Sequence, residues 1–192
     1  ASEQDHTLAQ FYVGLCYEFG YGTEENEKLA VTFEFYEKVA NKNYPSGIIY
    51  LGYFYERGMG IEKDLKKAVS LYEKAANLGN SLAQYNLAII YMNGYGADKD
   101  DIKAFELSKQ SAEEEFVDGI RALGYCYSCG IGTSVNKQKA FELYQKAADL
   151  GDTVAQNNLG DMYEIGDGIE KDINKAIYWY EQSGDQEAQN RL

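Results

Sequence analysis

Residues 155–183 read AQNNLGDMYEIGDGIEKDINKAIYWYEQS, and their spacing of leucine, glycine, tyrosine and alanine recurs along the whole chain. A Gly-x-Gly pair stands in the middle of each copy, at Gly20/Gly22, Gly58/Gly60, Gly94/Gly96, Gly130/Gly132 and Gly166/Gly168. The first step between pairs is 38 residues, and the next three are 36. A fixed period of this length is typical of stacked supersecondary units. The sequence therefore predicts five repeats.

Each repeat predicts a helix, a tight turn and a second helix. Leu51 and Tyr55 are four residues apart, so they share one face of the first helix, with Gly52 beside them. Glycine inside a helix costs about 1 kcal/mol relative to alanine. Its recurrence therefore indicates a point where the second helix packs too closely for a side chain. The Gly-x-Gly pair then supplies the positive φ angles that end the first helix.

The second helices are predicted from their caps and their apolar spacing. An N-cap residue is expected four positions after the second glycine, at Asp64, Asp100, Asn136 and Asp172. Segments such as KKAVSLYEKAA (66–76) then show the spacing of an amphipathic helix. The first-helix tyrosines are assigned to the core, namely Tyr17, Tyr55, Tyr91, Tyr127 and Tyr163. The second-helix tyrosines are expected to pack between helices, namely Tyr36, Tyr72, Tyr144 and Tyr180.

Two repeats depart from the pattern. Repeat one has two surplus residues between Gly22 and Tyr36, which indicate either a longer loop at residues 23–24 or a longer second helix. Alignment of Tyr36 with Tyr72 favours the loop, whereas Asn26 as an N-cap favours the helix. Repeat three has Ala88 in place of glycine and Ser108 in place of tyrosine.

The complete pattern, A-x3-LG-x2-Y-x2-GxG-x7-A-x3-Y-x2-AA-x2-G, resembles the Sel1-like repeat of the tetratricopeptide-repeat superfamily. The resemblance implies an all-α fold, a right-handed α/α superhelical solenoid of about five helix-turn-helix repeats. It implies one array over residues 1–192, with repeats at about 8–44, 45–80, 81–116, 117–152 and 153–186. Residues 187–192 would begin a further, partial repeat. It also implies an interaction scaffold or adaptor, or alternatively a regulatory module of a larger protein such as a kinase.

Two columns of variable residues are candidates for partner contacts, because equivalent positions in related tetratricopeptide arrays face the inner groove. The first column is Phe11, Ile49, Tyr85, Arg121 and Asn157. The second column is Leu15, Tyr53, Ile89, Tyr125 and Asp161. The alternative is that these side chains pack against the neighbouring repeat. Glu18 and Glu56 would add negative charge along the groove edge, so the expected partner is a protein or peptide with apolar anchors and basic flanks.

Composition narrows the other possibilities. The chain has a net charge of −13, which disfavours binding to nucleic-acid phosphates, and it has no apolar run that could span a membrane. Three cysteines and the lack of an Asn-x-Ser/Thr site favour a reducing, cytoplasmic location. Self-association is the second functional hypothesis, since the ends of a solenoid expose apolar faces.

The chemistry-bearing residues do not form a recognisable catalytic or metal site. Cys126 and Cys129 form a C-x2-C pair, but zinc needs four ligands and only Cys16 and His6 remain as candidates. Cys126 shares its column with Phe54, so it is predicted to be a core residue. A single histidine and no nucleophile or phosphate-loop motif predict that the protein is not an enzyme and uses no cofactor or metal.

Overall fold

The structure is a computed structural model that describes residues 25–185, with side chains from residue 32 onward. This part of the chain forms nine α-helices and no β-strand. The helices are α1 (Glu25–Asn41), α2 (Pro45–Arg57), α3 (Leu65–Asn77), α4 (Ser81–Asn93), α5 (Asp101–Glu113), α6 (Val117–Cys129), α7 (Lys137–Asp149), α8 (Thr153–Ile165) and α9 (Ile173–Ser183). Each helix packs mainly against its neighbours in sequence, so the predicted all-α repeat solenoid is confirmed.

The predicted caps define where the helices begin and end. The Asp64 carboxylate accepts a hydrogen bond from the Lys67 backbone N–H at 2.9 Å, which satisfies a free donor in the first turn of α3. The same bond recurs at the other three predicted N-caps, Asp100, Asn136 and Asp172. The first helices end at left-handed glycines with φ between +68° and +79°, namely Gly58, Gly94, Gly130 and Gly166.

Helix α1 settles the alternatives for repeat one. It has 17 residues, whereas α3 has 13, and both end at an asparagine, Asn41 and Asn77. The surplus residues therefore belong to a longer second helix. Asn26, however, lies inside α1 and not at its N-cap, so the cap that favoured this alternative was wrongly placed.

Glycine permits the close approach within the helix pairs of repeats two, four and five, as the sequence predicted. A Cβ atom added at Gly52 would lie 2.7 Å from Cε1 of Tyr72, and one at Gly124 would lie 2.9 Å from the Tyr144 ring. Both distances are shorter than van der Waals contact, so only glycine allows the tyrosine ring of the second helix to cover the first helix.

Neighbouring repeats contact each other through the Gly-x-Gly turn and through aromatic rings. A Cβ atom at Gly96 would lie 3.0 Å from Cβ of Leu65, at the start of the preceding repeat's second helix. Phenylalanines of the second helices also meet the first-helix tyrosines of the next repeat edge-on. The pairs are Phe33–Tyr55, Phe105–Tyr127 and Phe141–Tyr163, with centroid distances of 5.9, 5.4 and 5.6 Å.

First helices of adjacent repeats also meet within the array. Helices α4 and α6, which are first helices of adjacent repeats, contact each other directly, whereas no two second helices are in comparable contact between residues 25 and 185. These two repeats therefore approach each other through their first helices. Within the same residues, none of the helices combines the length and apolar character needed to cross a membrane.

Candidate functional site

The second-helix tyrosines lie in the core of every described repeat except the third, which has Ser108. Tyr36, Tyr72, Tyr144 and Tyr180 are at most 3% exposed, which confirms that they pack between helices. The Tyr72 hydroxyl donates to Glu56 Oε2 at 2.7 Å, and the Tyr180 hydroxyl donates to Glu164 at the same distance. Burial, together with the bond to Glu56, raises the pKa of Tyr72 well above its usual range. Glu56, predicted at the groove edge, is therefore also a structural acceptor.

The first-helix tyrosines lie under lysine side chains, an arrangement that the sequence analysis missed. Lys67 stands over the Tyr55 ring with its Nζ 4.2 Å from the centroid, a distance suited to cation–π attraction. The same contact recurs with centroid distances near 5 Å in the pairs Lys103–Tyr91, Lys139–Tyr127 and Lys175–Tyr163. The sequence signal for this contact was the lysine three residues after each of the predicted N-caps Asp64, Asp100, Asn136 and Asp172. Tyr91 is 7% exposed, whereas Tyr55, Tyr127 and Tyr163 are half-buried and pack against the core clusters.

The first candidate column is mostly engaged inside the protein. Ile49 is 5% exposed and belongs to the same core cluster as Tyr36 and Phe54. The expectation that Ile49 contacts a partner is therefore corrected: its side chain is buried among the protein's own residues. Tyr85, Arg121 and Asn157 in the same column are half-buried.

Arg121 ties three helices together. Its Nε donates to Asp152 Oδ2 at 3.0 Å, and its Nη2 donates to Asp118. The same guanidinium lies 5.9 Å from the Tyr85 ring centroid, and the Phe116 ring lies 6.0 Å from Tyr85 on α4. The charge of Arg121 is thus balanced by two carboxylates within the protein, and the cluster joins α4, α6 and the start of α8.

The second candidate column offers more surface. Tyr125 is 48% exposed, while Tyr53 and Ile89 are half-buried. The Arg57 guanidinium lies over the Tyr53 ring, 5.4 Å from its centroid. Phe11, Leu15 and Glu18, also predicted as contacts, lie outside the described residues.

A cavity of about 410 Å³ brings three of the predicted residues together, Glu56, Tyr85 and Ile89. Its other lining residues were not predicted: Asn86, Ile90, Asn93 and Tyr95. The sequence did contain a signal for Tyr95. The residue between the paired glycines varies from repeat to repeat, as Met59, Tyr95, Ile131 and Asp167, while the glycines do not vary. A variable position inside a constant turn indicates a surface that differs from repeat to repeat.

The C-x2-C pair is divided between core and surface. Cys126 is fully buried, with its Sγ 3.8 Å from Ser108 Oγ, which confirms its assignment to the core, whereas Cys129 is exposed. Burial raises the pKa of the Cys126 thiol to about 11. Among residues 25–185, no three His, Cys, Asp or Glu side chains are grouped as metal ligands.

We expect the two thiols to react at very different rates. In a Cys16→Ser background, Cys129 should react with a disulfide reagent at pH 8 at least about 100-fold faster than Cys126, because only thiolates attack and the higher pKa of Cys126 lowers its thiolate fraction. Stopped-flow absorbance of the released thiol measures both phases. In 6 M guanidinium chloride the two rates should converge; equal rates in the folded protein would contradict the buried position of Cys126.

Stacked helix pairs with constant packing residues and variable inner residues define an α-helical repeat protein. A sequence profile of the Sel1 repeat matches residues 7–44, 45–80, 81–116, 117–152 and 153–187. The chain belongs to the Sel1 repeat family. Proteins of this family are generally protein–protein interaction scaffolds, and such repeat proteins are typically non-catalytic.

Solved structures show the same fold. The chain is 31% identical to a Sel1 repeat protein from Oxalobacter formigenes, with a TM-score of 0.85, over 93% of this chain and 70% of that one. It is 33% identical to c5321, a protective antigen of uropathogenic Escherichia coli, with a TM-score of 0.85, over 99% of this chain and 41% of that one. It therefore spans less than half of c5321. The immunity protein Pa5087 from Pseudomonas aeruginosa, 20% identical with a TM-score of 0.64 over 99% of this chain and 72% of that one, shares the fold. No curated protein matches the chain.

Proposed function

We propose that this protein is an interaction scaffold that binds a protein segment in its inner groove, formed by Tyr53, Tyr85, Ile89 and Tyr125. The observation that carries the proposal is the row of accessible aromatic and aliphatic side chains on three successive first helices. Residues at these positions vary between repeats, while the first-helix tyrosines and the Gly-x-Gly pairs do not. Exposed apolar patches are typical of interaction sites, and tyrosine is enriched at binding hot spots.

The charge around the groove favours a partner with basic residues next to its apolar anchors. Arg121 is neutralised by Asp118 and Asp152, so it presents little net positive charge to a ligand. Glu56 lines the cavity in the groove, and the whole chain carries a net charge of −13. Acidic surroundings raise the local concentration of cationic segments and repel nucleic-acid phosphates. We therefore propose a protein or peptide partner and no nucleic-acid or membrane partner.

The double variant Tyr53→Ala/Tyr125→Ala tests the groove. Peptides selected from a random library on the native chain should bind this variant at least about tenfold more weakly, since hot-spot truncation typically costs 1–2 kcal/mol or more. Tyr85 is left intact because its ring also packs against Phe116 and Arg121. Fluorescence anisotropy of labelled peptides provides the affinities.

The matched control is Leu78→Ala/Tyr178→Ala. Leu78 and Tyr178 are 49% and 51% exposed, close to the 48% of Tyr125, but neither lies on a first helix. This control should bind the selected peptides like the native chain, and circular dichroism should show unchanged helicity in both variants. Full binding by the folded groove variant would refute the proposal and direct attention to the outer face.

A further inference from the structure

The groove cavity combines apolar walls with a single acidic end. Its volume of about 410 Å³ falls within the range of roughly 300–1,000 Å³ that ligand pockets occupy. Tyr85 and Ile89 of α4 form its walls, Tyr95 closes it from the next turn, and Glu56 stands at the end of α2. The cavity thus suits a side chain with an apolar stem and a positively charged end.

The Glu56 carboxylate has no cation of its own. Its Oε2 accepts the Tyr72 hydroxyl, and Glu56 forms no ion pair with any residue whose side chain the structure describes. Two cations lie nearby but are engaged by aromatic residues. Arg57 covers the Tyr53 ring, and Lys63 donates to the Tyr95 hydroxyl at 2.7 Å. A half-buried carboxylate that forms no ion pair within the protein gains from a cation supplied by a ligand.

The equivalent places between later repeats lack this combination. One repeat further on, Met92 takes the position of Glu56 and Arg121 takes that of Tyr85. Neither a thioether nor a guanidinium offers a carboxylate to a cation. Two repeats further on, Ser128 and Asn157 occupy the same two positions. Among the described repeats, a glutamate at this position combined with tyrosines at the two equivalent positions of the next repeat therefore occurs only between α2 and α4.

We propose that this cavity holds one lysine or arginine side chain of the bound segment and so fixes the register of that segment in the groove. The stem of the basic side chain lies along Ile89 and Tyr85, and its charge lies between Glu56 and the tyrosine rings. The inference rests on the proposed function, because the basic residue belongs to the segment bound in the groove. Apolar residues of the same segment reach Tyr125 on α6.

The test is peptide selection on the full chain and on two charge variants. A random library of 12-residue peptides is selected on the native chain, on Glu56→Gln and on Glu73→Gln. The Glu56→Gln side chain keeps an oxygen that accepts the Tyr72 hydroxyl but loses the charge. Glu73 is the matched control, because it likewise accepts a tyrosine hydroxyl, that of Tyr91 at 2.9 Å, yet it lies on a second helix.

We expect one position rich in lysine or arginine in peptides selected on the native chain and on Glu73→Gln, and no such enrichment on Glu56→Gln. For a selected lysine peptide, acetylation of that lysine should weaken binding to the native chain about tenfold and to Glu56→Gln less than twofold. A Tyr72→Phe variant, which loses the hydroxyl but keeps the carboxylate, should retain the enrichment and so separates charge recognition from the Tyr72–Glu56 bond.

Different outcomes overturn different claims. Selected peptides that depend on Tyr53 and Tyr125 but show no basic position would overturn the cavity assignment and leave the groove intact. An equal loss of enrichment in Glu73→Gln would also overturn it, since the effect would then follow overall charge. Failure to select any peptide that depends on Tyr53 and Tyr125 would overturn the proposed function together with this inference.

Discussion

Replacing Gly132 by alanine is expected to destabilise the protein by about 3 kcal/mol or more, whereas the same change at Gly151 should cost only about 1 kcal/mol. Both glycines have positive φ, +64° and +91°, so both substitutions carry the cost of a left-handed residue with a side chain. Only at Gly132 does the new Cβ meet other atoms. It would overlap the Asp101 carbonyl oxygen and lie 2.7 Å from Cβ of Phe105, while nothing lies within 4 Å of a Cβ at Gly151.

Urea unfolding followed by circular dichroism measures both free energies of unfolding. The clash at Gly132 lies between its own repeat and the preceding one, at the start of α5, so it weakens an interface between repeats. Stability in a repeat array is approximately a sum of repeat and interface contributions, and we therefore also expect Gly132→Ala to broaden or split the transition. Equal losses at the two glycines would show that the backbone relaxes around the Gly132 methyl group.

Features set by short-range spacing could be predicted from the sequence. The caps at Asp64 and its equivalents depend on residues three apart, and the approach of Tyr72 to Gly52 follows from two columns that recur together. A strict period makes each local signal appear several times, so weak single-site propensities add up to a definite prediction. This is why the helix pairs and their order could be predicted without any structural information.

Features that depend on contacts between repeats could not be predicted in the same way. A helical wheel gives the direction of Ile49 around its own axis, but not which neighbouring residues cover it, so its burial was missed. Arg121 meets Asp152, 31 residues away, because the chain returns after a complete second helix. The candidate site was therefore only partly predictable, since its cavity is shared by α2, α4 and the following turn.

In repeat three, the first-helix core residue is larger and the paired second-helix core residue is smaller than in the other described repeats, and the effect of this exchange on stability can be measured. Ala88 and Ser108 are both fully buried, at the positions where the other described repeats pair glycine with tyrosine. An alanine methyl group at Gly52 or Gly124 would collide with the tyrosine ring, so the small Ser108 compensates for Ala88. Introducing Ser108→Tyr alone should therefore overpack the core and cost about 3 kcal/mol or more. Ala88→Gly alone should cost about 1 kcal/mol, because glycine disfavours the helix.

The double variant Ala88→Gly/Ser108→Tyr should lose about 2 kcal/mol less unfolding free energy than the two single variants lose in total. The reason is that the tyrosine ring then has room against the first helix. The double variant should still be less stable than the native chain. In other repeats Glu56 or Glu164 accepts the tyrosine hydroxyl, but Met92 occupies that position in repeat three. The hydroxyl of the new tyrosine is therefore a buried donor without an acceptor. Adding Met92→Glu supplies the acceptor and should raise stability further. Urea unfolding of the native chain, the two single variants, the double variant and the variant with Met92→Glu added provides these free energies. Additivity within about 0.5 kcal/mol would mean that the two positions vary independently and that the exchange is not a compensation.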